Sequence, residues 1–150
     1  MKQLAPSLQI TNEVFLCHGT PSNDLIYLLE DITRGRPRLR SVQELLGTTR
    51  AQVVLCGHPH QSRSASISSG QLIVNPGSVG LSAYADNKPN YHTMETYSAH
   101  ASYAIVEQKK GGAWDVEHLN IRYDTDKAVR DAIARGRDDW GCYLSTGRAD

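Results

Sequence analysis

The histidines carry the clearest chemistry in this chain. His58 and His60 stand two apart in CGHPHQSR (56–63), with Gly57 before them and Pro59 between them. A third, His18, closes the apolar run EVFLCHG (13–19). Neutral imidazole is the commonest metal ligand, and three such groups suit manganese, iron, zinc or nickel. In an extended segment the side chains at i and i+2 point the same way, so His58 and His60 are expected to face one site. Pro59 fixes the backbone between them, and Gly57 is expected to permit close approach. An H-x-H pair alone is more often a turn than a metal site. The element that strengthens it is NPGSVG (75–80), where Asn75, Pro76 and two glycines make a rigid turn whose amides could face an anion.

The elements that must position these residues read as a mixed α/β pattern. EVFLCHG and AQVVLCG (51–57) are each expected to be a buried strand, which puts His18 and His58 at carboxyl ends of strands, where open α/β sheets bind ligands. Between them, Leu25, Leu28, Leu29 and Ile32 fall at i, i+3, i+4 and i+7 and predict one helix face. SVQELLG (41–47) predicts a shorter helix, with Ser41 and Glu44 spaced as a capping box and Gly47 at its end. Two strands joined through helical chain suggest a βαβ-type unit. From residue 64 the pattern changes. SASIS and QLIVN flank Ser69-Gly70, and SYAIVEQ and AWDVEHLNIRY flank 109–112, which gives two hairpins. A helix follows from Asp124 or Thr125, with Ala128, Val129, Ala132 and Ile133 as its apolar stripe and Gly136 closing it. The segment 81–101 has no clear period and reads as a long loop near the site. The sum is an α/β sandwich, two sheets stacked with helices outside, in one domain spanning 1–150.

Sixteen basic and sixteen acidic residues cancel, and the pI is near 7.0. That balance gives no indication of nucleic-acid binding or a membrane surface as partner. Three cysteines do not build a disulfide framework; Cys17, Cys56 and Cys142 read as reduced thiols, and Cys17 and Cys56 as core. No signal peptide or membrane span is visible in the sequence, so a cytoplasmic location is expected. Arg34, Arg36, Arg38 and Arg40 are able to meet a phosphate but read as a solvated basic loop. His92 and His100 read as exposed loop histidines, His118 as facing solvent, and Trp114 and Trp140 as packing residues.

The order CHGTPSND, CGHPH, LIVNPGSVGLSAY, SYAIVE and IRYD resembles the bacterial calcineurin-like metallophosphoesterases, in particular small phosphodiesterase-like members whose glycine turn continues into L-x-A-Y. The likeness runs along essentially the whole chain; Pro59 stands where the family usually has threonine. The resemblance implies a four-layer α/β/β/α sandwich holding two divalent transition-metal ions and hydrolysing a phosphate ester by a metal-activated hydroxide. It implies that His18, His58 and His60 are metal ligands, with Gly57, Asn75, Gly77 and Ser78 supporting the histidine loop. The family's leading motifs D-x-H, GD and GNHD occur nowhere in this sequence. They supply the bridging carboxylate, further ligands and the general acid, so no catalytic residue beyond the metal ligands is identified. The chain is therefore expected to be a truncated, carboxyl-terminal part of such an enzyme, lacking its first strands. It is expected to need the missing segment or a second copy of itself, and the alternative is an inactive metal-binding or interaction scaffold.

Overall fold

In the computed structural model, residues 5–33 and 41–149 are described. The chain forms β1 (Ser7–Gln9), β2 (Val14–Cys17), α1 (Val42–Leu46), β3 (Val53–Leu55), β4 (Ser62–Ser66), β5 (Leu72–Pro76), β6 (Ala83–Asp86), β7 (His92–Glu95), β8 (Ala101–Gln108), β9 (Trp114–Ile121), α2 (Asp126–Ile133) and α3 (Asp138–Thr146). The first five strands make one sheet in the order β1-β2-β3-β5-β4. Strands β2, β3 and β5 run parallel, with Phe15 opposite Val54 and Val54 opposite Ile73. β4 closes one side antiparallel through the Ser69-Gly70 turn, and β1 closes the other.

Val53 and Val54 in the central strand are both fully buried, because a parallel strand is covered on its two faces. On one face Val54, Cys56 and Ile73 join Cys17, Leu28, Leu29, Val42 and Leu46 under α1. The opposite face meets the β8–β9 ribbon, which packs against β5 and β4. β6 and β7 form a separate hairpin, with Ala83 opposite Glu95. The helices α2 and α3 pack together, and Ser82 Oγ ties the hairpin to α3 by donating to the Tyr143 carbonyl at 2.9 Å.

Several expectations are corrected. Residues 21–32 form turns, not a helix. Leu28 and Leu29 enter the first core while Tyr27 and Ile32 enter a second with Met94, two directions that one helix face cannot serve; Leu25 stays 77% exposed. The segment 81–101 contains a hairpin, not a loop. Helix α1 forms, yet Ser41 makes no side-chain capping bond. Strand β2 is only part-buried, and its outer side is paired by β1, so the sheet ends on that side at β1 and on the other at β4. The helix α3 adds an element with no expected counterpart. The basic run at Arg34, Arg36, Arg38 and Arg40 lies outside the described residues.

Candidate metal centre

His18 follows β2 and His58 follows β3, so adjacent parallel strands deliver both to one end of the sheet. Their ring centroids are 4.9 Å apart at 41°. The backbone is latched as well: the Gly57 amide donates to the His18 carbonyl at 2.8 Å. The GHPH segment is not extended. His58 has φ 77° and His60 has φ 58°, left-handed values uncommon for residues other than glycine. The i, i+2 geometry expected for a strand therefore does not apply, since two left-handed residues flank the buried Pro59. Such strain of order 1–3 kcal/mol per residue persists where surrounding contacts fix it, typically at functional sites.

Asn75 supplies one of those contacts. Fully buried on β5, it donates from Nδ2 to the Gly57 carbonyl at 2.8 Å and accepts the Gly77 amide at Oδ1, 3.0 Å. Gly77 has φ 88°, and a Cβ there would lie 2.7 Å from Ser102 Cβ, so only glycine fits. Ser78 anchors the turn from its far side, its carbonyl accepting the Ser102 amide at 2.8 Å and its hydroxyl the Gly80 amide at 3.3 Å. Gly57 is a correction: a Cβ there would meet His18 at 3.5 Å, an ordinary contact. The close-packed glycine is instead Gly19, where a Cβ would meet the carbonyls of Ile26, Asn23 and Asp24 at 2.5 to 2.8 Å.

Two tyrosines wall the histidines. The Tyr27 ring lies 4.5 Å from that of His58, and Tyr84 stands edge-on to His60 at 5.1 Å. Tyr27 Oη is 2.6 Å from Tyr84 Oη and 2.9 Å from His92 Nε2, while His92 Nδ1 lies 2.8 Å from the Asn90 carbonyl. A carbonyl only accepts, so His92 donates from Nδ1 to Asn90, and in the tautomer with Nε2 bare that nitrogen accepts from the Tyr27 hydroxyl, which leaves Tyr84 to donate to Tyr27. His92 is thus a buried, 3% exposed member of the site's wall and not an exposed loop residue. Nothing in sequence spacing distinguished it, since its burial depends on the β6–β7 pairing. His118 is likewise part-buried, with Nδ1 2.8 Å from Ser62 Oγ; it stands on β9, against the other sheet face.

Burial lowers the pKa of His58, and the neighbouring His18 lowers it further. Burial also lowers that of His60, partly offset by a hydrogen bond to the Leu81 backbone. His60 Nδ1 is buried with no hydrogen-bond partner. A neutral imidazole held through one nitrogen by a backbone carbonyl and bare at the other is the arrangement of a metal ligand. Histidines 18, 58 and 60 are donors of the type that one divalent transition-metal ion takes. They do not suit two ions, whose mutual repulsion needs anionic ligands between them. Among the described residues no three His, Cys, Asp or Glu side chains converge closely enough to hold an ion as they stand. The carboxylate that acts on His58 is Asp86, across a cavity of about 470 Å³ that both line with Tyr27 and Glu30.

The fold is that of a metallophosphoesterase. Residues 6–99 match the model of the calcineurin-like phosphoesterase superfamily domain, and the chain belongs to that family. A crystal structure of a metallophosphoesterase from Sphaerobacter thermophilus is similar in fold, with a TM-score of 0.66 at 17% identity over 98% of this chain and 61% of that one. A single mutant of Vps29 from Entamoeba histolytica aligns over 81% of this chain and 64% of that one at 18% identity, with a TM-score of 0.37. No match was found among curated proteins. The chain spans about three-fifths of the length of the Sphaerobacter structure. Among the described residues no helix is long and apolar enough to cross a membrane.

Proposed function

We propose that this chain supplies the three-histidine part of a metal-dependent phosphoesterase site, acting on a phosphodiester or phosphomonoester. The observation that carries the reading is the meeting of His18 and His58 at one sheet end, with His60 offering an unpartnered Nδ1 beside them. His18, His58 and His60 would hold a manganese, iron, zinc or nickel ion, which when bound activates water and neutralises charge on phosphoryl oxygens. The chain's own part is to keep His58 and His60 neutral through burial, to fix the GHPH loop through Asn75, and to exclude water with Tyr27 and Tyr84. An anionic ligand and a proton donor for the leaving group would have to come from residues other than these three histidines.

The test is hydrolysis of bis(p-nitrophenyl) phosphate with added manganese. Activity that His60→Ala abolishes supports the enzyme; no hydrolysis with any divalent metal contradicts turnover by this chain. A second reading, a metal-binding scaffold without turnover, is favoured by the all-neutral donor set, and metal uptake without hydrolysis would support it.

A further inference from the structure

The cavity beside His58 joins accessible apolar walls to polar groups that the protein already occupies. Its volume of about 470 Å³ falls within the roughly 300–1,000 Å³ of small-molecule sites, and Leu25, Ile26 and Pro89 are among its lining residues. Leu25 is 77% exposed and Ile26 37%, so both stay outside the core, and Pro89 is exposed as well. Apolar surface gathered at a cavity is surface that an apolar ligand takes out of water. The polar lining offers little in competition. Tyr27 Oη is engaged with Tyr84 and His92, and Thr33 Oγ1 donates to Asp31 Oδ1 at 2.8 Å. Asp86 Oδ1 accepts the Lys88 amide at 3.0 Å, and the side chains of Asp86 and Lys88 bring opposite charges to the same cavity. Glu30 is shut away, with Arg63 Nε 2.9 Å from its Oε1. A ligand rich in hydroxyl groups would give up hydrogen bonds to water here and regain few.

We propose that this cavity holds the organic group of a phosphate ester and selects an apolar group, alkyl or aryl, over a sugar or another polyol. The walls gain from each methylene that leaves water. His58 belongs both to the cavity and to the histidine cluster, so the ester end of such a ligand lies beside the imidazoles. Calling the ligand part of an ester rests on the phosphoesterase reading; the apolar preference does not.

Saturation-transfer NMR titration of the metal-free full chain with the linear alcohols from propan-1-ol to hexan-1-ol, and with glycerol, tests the preference without turnover. Affinity is expected to rise about three- to fourfold per added methylene, and glycerol is expected to bind more weakly than propan-1-ol. Leu25→Asp and Ile26→Asp each put a charge at an accessible wall position, and each should flatten the rise to less than about twofold per methylene. Affinity independent of chain length, glycerol binding as tightly as propan-1-ol, or a rise untouched by both substitutions overturns the proposal. Titration with hexylphosphonate, with and without manganese, then tests the link to an ester, and tighter binding with the metal supports it. Chain-length selectivity with no gain from manganese supports the cavity assignment and counts against the phosphoesterase reading alone.

Discussion

Asn75 Nδ2 donates to the Gly57 carbonyl at 2.8 Å, which ties the end of one parallel strand to the loop carrying two histidines. The same side chain accepts the Gly77 amide, so one buried amide sets the positions of both the GHPH loop and the glycine turn. Asn75→Ala removes both bonds and strands a half-buried carbonyl and a half-buried N–H. The expected cost is about 2–4 kcal/mol, read from urea denaturation, together with weaker metal uptake as His58 loses its support. An unchanged midpoint would show that the loop is held by other contacts.

Gly77→Ala and Gly57→Ala should behave differently although both glycines flank the histidine site. At Gly77 a methyl group meets Ser102 Cβ at 2.7 Å in a left-handed backbone, so a loss on the order of 2–4 kcal/mol is expected. At Gly57 the new contacts are 3.5 and 3.6 Å, and the loss should stay within about 1 kcal/mol. Thermal melts of the two variants side by side check the contrast.

Glu30 gives a pH dependence with a definite sign. Burial raises its pKa above the ordinary 4.5, with Arg63 opposing. A raised folded-state pKa means that the folded protein holds the proton where the unfolded chain has released it. Its contribution is therefore present below 4.5 and is lost as pH rises through the folded value. The stability of Glu30→Gln relative to the parent chain should accordingly rise with pH from about 4.5 upward and then level off. Denaturation midpoints of both proteins across pH 4 to 8 would reveal it, and a constant difference would contradict it.

Much of the frame was legible in the sequence because its signals are local. Ser69-Gly70 between alternating runs yields the β4–β5 hairpin, and the apolar runs ending in His18 and Cys56-Gly57 yield neighbouring parallel strands. The errors arise where tertiary contacts override a local pattern. Leu25, Leu28, Leu29 and Ile32 have helical spacing, but Asn23 Oδ1 accepts the Leu25 amide at 2.8 Å in a turn, and Leu28 and Ile32 serve different cores. His58 and His60 were recognisable as a pair, while their left-handed backbone was not, because no spacing pattern marks a positive φ at a histidine. Glu30 and His92 carry no spacing signal; their burial exists only once the β6–β7 hairpin and the turns at 21–32 are in place.

The most direct measurement is divalent-metal uptake by the purified full chain, by elemental analysis and by manganese and zinc titration. The parent protein should bind metal, His58→Ala and His60→Ala should each weaken it by more than about tenfold, and His118→Ala should leave it unchanged. No bound transition metal with no uptake, or uptake indifferent to His58→Ala, would contradict a metal centre at these histidines.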